Sequence, residues 1–181
     1  MYFLLLKKLQ RWAHHVKQLL NFEEAIPVKK VGRISFSKHF KIADGSNGTQ
    51  IFVGVIDRLW PVAVKRVNQG MQSMEEEVYK ILSEETLEAH FLLVPTLIEQ
   101  DEDFVYFASP LCEYNLEEVI EQKSNPLRNE FTPLKRASMC YHLMLGLSEL
   151  HKANILHRDL KPRNVLLGKY SSYGAGVILT A

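Results

Sequence analysis

Eight residues in the last third of the chain decide how this sequence is interpreted: His157-Arg158-Asp159-Leu160-Lys161-Pro162-Arg163-Asn164. The stretch holds a carboxylate, a cation two residues later and a carboxamide five residues after the carboxylate. A carboxylate can accept a proton from a hydroxyl group, and a carboxamide oxygen can bind Mg²⁺. Three groups of different chemistry in one short stretch predict a catalytic site rather than an ordinary polar loop.

The composition is that of a globular protein without a membrane-spanning segment. The 181 residues are 46% hydrophobic and 24% charged, and the formal net charge is +1. These values exclude disorder and give no general attraction for nucleic acid. No apolar run approaches the roughly 18 residues of a membrane span. The two cysteines, Cys112 and Cys140, have neither disulfide-framework nor zinc-site spacing, so we expect a reducing, cytoplasmic location.

Residues 1–20 predict a basic amphipathic helix. The segment has no acidic residue, and its large apolar residues recur at helical spacing: Leu5, Leu9, Trp12, Val16, Leu19 and Leu20. Packing of this helix on the following domain is the favoured interpretation. Contact with a membrane surface or a partner protein is the less favoured alternative.

Strand patterns come next, and helical patterns follow them. Alternating or β-branched stretches predict strands at 31–36, 50–55, 61–67, 91–99, 104–109, 165–167 and 177–179. A helix is predicted to begin at Ser73, where Ser73-Met74-Glu75-Glu76 fits a capping box. Further helices are predicted around 116–123 and 133–151. This order favours an antiparallel sheet carrying one helix, followed by a helical half.

Two other segments carry candidate functional residues. Val62-Ala63-Val64-Lys65 is an alternating strand that ends in a lysine, and the turn-rich stretch Ala43-Asp44-Gly45-Ser46-Asn47-Gly48 precedes it, with Ile51 shortly after. Each pattern alone is common. For any pairing of Lys65 with an acidic residue of the helix after Ser73, the helical wheel excludes Glu76 and leaves Glu75 and Glu77 as near-equal candidates.

Together, these segments resemble the eukaryotic protein-kinase fold from its small lobe to its catalytic loop, over residues 31–181. Residues 157–164 match the catalytic loop H-R-D-L-x-x-x-N at every defined position. Val62–Lys65 resembles the kinase lysine strand, and residues 43–48 resemble the glycine-rich loop with Ala43 in place of its first glycine.

The resemblance implies an α+β, protein-kinase-like two-lobed fold. Its N-lobe is an antiparallel sheet with one helix, and its helical C-lobe is incomplete. The implied domains are a leader helix and linker at 1–30, the N-lobe at 31–110, and the hinge with a partial C-lobe at 111–181.

The same resemblance implies a kinase of the Ser/Thr type that uses ATP and Mg²⁺ to phosphorylate a protein hydroxyl. Asp159 is then the catalytic base, Lys161 stabilises charge on the transferred phosphoryl group, and Asn164 binds the metal. Lys65 contacts the phosphates, and Glu77 is chosen as its partner because Glu77-Val78 is closer to the family motif. The other implied nucleotide-binding residues are Ala43, Gly45, Gly48, Ile51, Ala63, Pro110, Cys112 and Leu166, with Ser109 as gatekeeper.

Within the kinases, the chain looks like the branch fused to an endoribonuclease, which includes ribonuclease L and the unfolded-protein-response kinase/endoribonuclease. Residues 40–44 and 111–117 resemble ribonuclease L, whereas the intact loop at 157–164 resembles the other member. The implied partners are a protein substrate or the chain itself, a second copy in a homodimer, and RNA only through a ribonuclease domain. The alternative function is a pseudokinase-like module that binds nucleotide, dimerises and regulates RNA cleavage.

The family's Asp-Phe-Gly motif, whose Asp binds Mg²⁺, is expected directly after Ala181. We therefore expect this sequence to be a fragment that is inactive alone. We also expect the apolar face of the helix at 133–151 to be partly exposed: Ala137, Cys140, Tyr141, Met144, Leu145, Leu147 and Leu150.

Overall fold

Ten strands and four α-helices make up the regular structure of the described residues, which are 10–21, 26–45, 48–71, 73–84, 91–171 and 174–180 of a computed structural model. In chain order the elements are α1 (Ala13–Asn21), β1 (Lys29–Val31), β2 (Ile34–Asp44), β3 (Gln50–Ile56), β4 (Trp60–Asn68), α2 (Ser73–Glu84), β5 (Leu92–Leu93), β6 (Leu97–Gln100), β7 (Phe104–Pro110), β8 (Tyr114–Asn115), α3 (Leu116–Glu121), α4 (Pro133–Lys152), β9 (Val165–Ser171) and β10 (Gly174–Thr180). The chain divides into two units, Met1–Glu77 with Pro95–Leu111, and Val78–Val94 with Cys112–Ala181. The α+β fold class predicted from the sequence is confirmed.

The first unit is built on a six-stranded sheet in the order β1-β2-β3-β4-β7-β6, in which every neighbouring pair is antiparallel. One face of this sheet forms an apolar core, whose fully or largely buried members include Phe36, Phe52, Val62, Val64, Tyr106 and Ala108. The two edge strands are joined by side chains. Lys29 Nζ lies 2.6 Å from Asp101 Oδ2, and the Arg33 amide donates to Glu99 Oε1 over 3.0 Å.

Helix α1 packs on the strands of this unit. Its apolar side chains Val16 and Leu19 are buried, as is Trp12 just before the helix, and the His15 ring meets Phe40 of β2 edge-on at 4.6 Å. Burial, and to a smaller extent the charge of His14, lowers the pKa of His15. The described part of the predicted leader helix therefore follows the packing interpretation. The part of it at residues 1–9 lies outside the described residues.

The second unit combines a four-stranded sheet with α3, α4 and the part of α2 from Val78 onward. The strand order is β5-β10-β9-β8, with β5 parallel to β10 and the other pairs antiparallel. Helix α4 begins where sequence rules place it, because the Thr132 hydroxyl accepts a hydrogen bond from the Lys135 amide and Pro133 occupies the first turn. Its inner face contributes Leu150 to the core, together with Leu82, Leu92, Val119, Val165, Leu167 and Leu179.

The outer face of α4 is apolar and exposed, as predicted. Ala137, Cys140, Tyr141 and Met144 are exposed, whereas Leu145 and Leu147 are half-buried. The prediction was wrong for Leu150, which has no accessible surface because it points into the core. No helix in the described ranges is long and apolar enough to cross a bilayer.

Two predicted strands are each split in the structure. The stretch 31–36 is a hairpin, in which Val31 pairs with Ile34 and Gly32 adopts φ +53°. The stretch 91–99 becomes β5 and β6, which belong to different sheets. Pro95 lies in the gap, and proline has no N–H to donate to a strand ladder. Helix α2 begins at Ser73 as predicted, but the side chains of its predicted capping box lie outside the described residues.

Candidate active site

The stretch His157–Asn164 forms an exposed loop between α4 and β9. The loop starts after the buried Ala153 and ends in a 3₁₀ turn, Pro162–Asn164, which leads directly into the buried Val165. Arg158 adopts φ +58°, a conformation that residues other than glycine seldom take. The Asp159 amide donates to the His157 carbonyl over 2.8 Å, so backbone hydrogen bonds stabilise this bend. Its effect is to present Asp159 to solvent between two anchored ends.

Asp159 sits at the centre of a small polar cluster. Lys161 Nζ lies 2.7 Å from Asp159 Oδ2, and Asn164 Nδ2 donates to the same oxygen over 2.9 Å. Asn164 Nδ2 also donates to the Asp159 carbonyl over 2.8 Å. The structure thus brings together the three residues predicted for catalysis and metal binding. The Lys161 and Asn164 hydrogen bonds lower the pKa of Asp159, so its carboxylate is ionised at neutral pH.

This cluster is better suited to orienting a hydroxyl group than to removing the hydroxyl proton at the start of a reaction. An ionised, exposed carboxylate accepts a hydrogen bond from an incoming hydroxyl, but a lowered pKa makes it a weak base. Proton transfer to Asp159 is then favourable only late in a reaction, after the hydroxyl oxygen has begun to form its new bond. Such timing suits phosphoryl transfer, whose transition state demands positioning and charge stabilisation more than strong base catalysis.

Asn164 retains a free oxygen for a metal ion. Both hydrogen bonds of its side chain use Nδ2, so within the described part of the chain Oδ1 has no protein donor. A carboxamide oxygen suits Mg²⁺, which typically takes few protein ligands and completes its shell with water and phosphate oxygens. The described residues contain no group of three or more His, Cys, Asp or Glu side chains that could hold a metal ion. The carboxamide oxygen of Asn164 fits a Mg²⁺ site in which water and phosphate oxygens supply the other ligands.

An ion pair attaches the loop to α3. Arg163 Nε donates to Glu117 Oε2 over 2.8 Å, and this contact joins residues 46 positions apart. No sequence pattern assigned a role to either residue. Opposite charges this far apart carry no local pattern, so the pair becomes visible only once the fold places α3 beside the loop.

Several of the predicted nucleotide-binding residues lie together on the sheet of the first unit. Ala43, Ile51 and Lys65 are directly paired across β2, β3 and β4, and Phe107 of β7 continues the row. Directly paired residues share a sheet face. These side chains therefore lie on the face opposite the aromatic core. Ala63, paired with Ser109 of β7, belongs to the same face.

The predicted glycine-rich loop is shorter than expected. Ala43 and Asp44 belong to β2, since Asp44 pairs with Gln50 and its carboxylate binds Lys41 Nζ at 2.8 Å. The turn itself begins at Gly45, whose amide donates to the Thr49 carbonyl over 2.8 Å, and Gly48 has φ +76°. Ser46 and Asn47 lie outside the described residues. The prediction of a turn starting at Ala43 was wrong, because the β2–β3 ladder continues past it.

The acidic partner of Lys65 stays a prediction. Glu77 is exposed on α2, and among the described side chains it has no ion-pair partner. The side chain of Glu75, the alternative that the helical wheel left open, lies outside the described residues. Lys65 is half-buried on β4.

The remaining predicted nucleotide contacts lie in and after β7 and on β9. Ser109 is buried, and Pro110 ends β7 opposite Val62. Burial, and secondarily the charge of Glu113, raises the pKa of the Cys112 thiol to about 12. Leu166 is half-buried on β9, where it pairs with Asn115 of β8.

The sequence matches the protein kinase domain over residues 36–174, more than half of the chain. The chain therefore belongs to the protein kinase family. Membership of this family implies the use of ATP and a divalent metal ion in general. The free amide oxygen of Asn164 and the ionised Asp159 are consistent with that chemistry.

Its relatives include kinases linked to an endoribonuclease. The chain is 32% identical over 162 residues to the Homo sapiens serine/threonine-protein kinase/endoribonuclease IRE2, a match covering 90% of this chain and 17% of that protein. It is 34% identical over 127 residues to the Schizosaccharomyces pombe sensor for unfolded proteins in the ER ire1, covering 70% of this chain and 12% of that protein. A probable serine/threonine-protein kinase of Dictyostelium discoideum, irlD, is 27% identical over 156 residues, covering 76% and 10%. The chain thus spans less than a fifth of the length of these relatives.

Proposed function

We propose that the protein acts as a Ser/Thr-type protein kinase that transfers the γ-phosphate of ATP to a protein hydroxyl. The observation that carries this proposal is the cluster of Asp159, Lys161 and Asn164, held together by hydrogen bonds of 2.7–3.0 Å. Names of relatives that contain "serine/threonine-protein kinase" support the same class.

In the proposed reaction, the acceptor hydroxyl donates a hydrogen bond to the carboxylate of Asp159. Its oxygen forms a bond to the γ-phosphorus while the bond from that phosphorus to the bridging oxygen of ADP breaks. The proton passes to Asp159 and from there to solvent. Lys161, whose ammonium group is beside Asp159, stabilises the negative charge on the transferred group.

Asn164 has two roles in this proposal. Its Nδ2 atom fixes the Asp159 side chain, and its Oδ1 atom is a ligand for Mg²⁺. When bound, the metal ion would neutralise charge on the nucleotide phosphates. In the first unit, Lys65 contacts the α- and β-phosphates, with Ala43, Gly45, Gly48, Ile51 and Ala63 next to the nucleotide. Glu77 remains the proposed partner of Lys65, with Glu75 as the alternative.

The proposed partners are a protein substrate and a second copy of the chain, which can serve as a substrate in turn. The proposed location is the cytoplasm, which is consistent with Cys112 and Cys140 forming no disulfide in the described residues. Action on RNA would require a ribonuclease domain like the one named in the human relative.

A nucleotide-binding module without transfer activity is the second candidate. Ala43 favours it, because the family's glycine-rich loop has glycine there and Ala43 is fixed in a strand ladder opposite Ile51. Such a module would bind ATP and dimerise, and it would regulate RNA cleavage by an attached domain.

The test is incubation of the natural full-length protein with Mg²⁺ and ATP labelled at the γ-phosphate, followed by phosphoamino-acid analysis. The first candidate predicts label on serine or threonine of the protein or of an added substrate, and no label when the ATP is labelled at the α-phosphate. ATP-dependent dimerisation with no transferred label would favour the second candidate. Label on tyrosine alone would contradict the Ser/Thr assignment.

A further inference from the structure

The loop that carries Asp159 is irregular and largely exposed. From Ile155 to Lys161 it has no regular secondary structure, and Arg158, Asp159 and Lys161 are all exposed. Asp159 depends on Asn164 for two of its hydrogen bonds. The position of Asn164 therefore determines where the Asp159 carboxylate lies.

Residues on both sides of Asn164 contact one short segment, residues 115–117. On its N-terminal side, Arg163 binds Glu117 of α3 over 2.8 Å. On its C-terminal side, β9 pairs with β8, and Leu166 is opposite Asn115. Glu117 and Asn115 are two residues apart, so both contacts come from one short segment. A third contact comes from β10, where Thr180 Oγ1 donates to the Asn164 carbonyl over 3.4 Å and Leu179 pairs with Val165.

The start of α3 is itself rigid enough to serve as an anchor. Asn115 and Glu118 form a reciprocal capping box, in which Glu118 N donates to Asn115 Oδ1 over 2.9 Å and Asn115 N donates to Glu118 Oε2 over 3.0 Å. Val119, in the first full turn, is buried in the core of the unit. Glu117 therefore projects from a fixed turn, and its side chain is only 29% exposed against 64% for Arg163.

We propose that Glu117 is a positioning residue for phosphoryl transfer, acting through Arg163 to hold Asn164 and thereby the Asp159 carboxylate. The inference rests on the proposed function for its catalytic consequence, but not for its structural one. Glu117 touches neither nucleotide nor acceptor in this scheme. Its effect is to limit the motion of the loop, which matters because small displacements of catalytic groups reduce rates strongly.

The first measurement is hydrogen exchange at the Asn164 amide, which donates to the Lys161 carbonyl over 2.9 Å and so reports on the 3₁₀ turn. Glu117→Gln keeps the size of the side chain and removes its charge. We expect exchange at this amide to become about 1.4- to fivefold faster, the range for loss of a largely exposed ion pair. The double variant Glu117→Arg with Arg163→Glu should restore the pairing and slow the exchange again.

The matched control is Glu130→Gln, which breaks the exposed pair between Glu130 and Lys135 (3.2 Å) in the same unit. It should leave exchange at Asn164 unchanged. Equal exchange in wild type and Glu117→Gln would overturn the proposal. So would equal acceleration in the control, because the effect would then come from a general loss of stability.

The second measurement is phosphate transfer by the natural full-length protein as a function of Mg²⁺ concentration. We expect Glu117→Gln to lower kcat and to raise the half-saturating Mg²⁺ concentration, each about 1.4- to fivefold, with KM for the protein substrate unchanged. The charge-swapped double variant should recover both. A change in KM alone would overturn the positioning role. If wild type transfers no phosphate while exchange at Asn164 responds as expected, the proposed function fails and the anchoring of the loop stands.

Discussion

Replacement of Asp101 by asparagine should weaken the first unit more than any exposed substitution near it. The Asp101 carboxylate accepts four hydrogen bonds. Oδ2 receives Lys29 Nζ at 2.6 Å and the Tyr106 hydroxyl at 2.7 Å, and Oδ1 receives the amides of Asp103 and Phe104 at 3.1 and 2.9 Å. Lys29 Nζ also donates to the Tyr106 hydroxyl at 2.8 Å. This network joins edge strand β1 to the β6–β7 hairpin.

The expected loss of stability follows from the hydrogen bonds that asparagine can still accept. The new carboxamide could still accept from the two amides through its oxygen, but its NH₂ group would face the Lys29 ammonium, which is also a donor. A hydrogen bond to a charged group contributes about 1.5–3 kcal/mol, and the partial exposure of Lys29 (38%) and Asp101 (27%) places the loss near the lower limit. We expect Asp101→Asn to lower the free energy of unfolding by about 2 kcal/mol. For a chain of this size the melting temperature should then fall by about 4–8 °C.

The effect should depend on pH in a defined direction. Desolvation raises the pKa of Asp101, but hydrogen bonds from Lys29, Tyr106 and the two amides outweigh it and hold that pKa well below its usual range. A carboxyl group with a lowered pKa stabilises the fold above its unfolded pKa, about 3.9, and loses that contribution as the pH falls towards its folded pKa. The gap between wild type and Asp101→Asn should therefore be full at pH 7 and shrink below about pH 4.

Thermal melts of both proteins between pH 3 and pH 7 check this prediction. The control is Asp103→Asn in the same hairpin, since Asp103 is exposed and its carboxylate receives no hydrogen bond from the described residues. It should melt within about 1 °C of wild type, because surface substitutions away from such networks usually change stability little. Equal melting temperatures for wild type and Asp101→Asn at pH 7 would show that the Asp101 carboxylate does not stabilise the first unit, and a gap that widens in acid would contradict the lowered pKa of Asp101.

Two further predictions concern a packed glycine and the two thiols. Gly54→Ala should destabilise the first unit by about 2 kcal/mol or more, because the new Cβ would clash with Val64 Cγ2. Gly70→Ala should be tolerated, because no atom lies within 4 Å of the new Cβ. Chemical denaturation of both variants tests this difference in stability. Maleimide labelling at pH 8 followed by peptide mapping should modify the exposed Cys140 and spare Cys112, whose pKa is raised to about 12. Labelling of Cys112 at a similar rate would show that its thiol is accessible and ionised.

Local patterns predicted the elements of this fold better than their pairing. The alternation of Pro61–Val67 and the capping sequence at Ser73 each specify an element within a few residues, and β4 and α2 are where these patterns place them. The strand break at Pro95 was missed because apolar residues flank it on both sides. The assignment of β5 and β6 to different sheets depends on partners far along the chain, such as Leu179 for Leu92, which no local pattern contains.

The candidate site shows the same division. Asp159, Lys161 and Asn164 are close in sequence and match the kinase catalytic-loop motif, so that resemblance predicted the cluster that the structure contains. The anchor of that cluster could not be predicted, because Glu117 and Arg163 are 46 residues apart. The network of Lys29 and Asp101, 72 residues apart, was invisible for the same reason. Charge pairs of this kind depend on topology rather than on sequence pattern.

In the proposed reaction, Asp159 accepts the proton of an attacking hydroxyl during phosphate transfer from ATP. The most direct test compares wild type and Asp159→Asn in the natural full-length protein, with ATP affinity and the rate of γ-phosphate transfer measured on the same samples. We predict that the variant keeps its ATP affinity and loses transfer by at least about 100-fold, the lower range for loss of a general base. Transfer at the wild-type rate by Asp159→Asn, with ATP still bound, would contradict the claim.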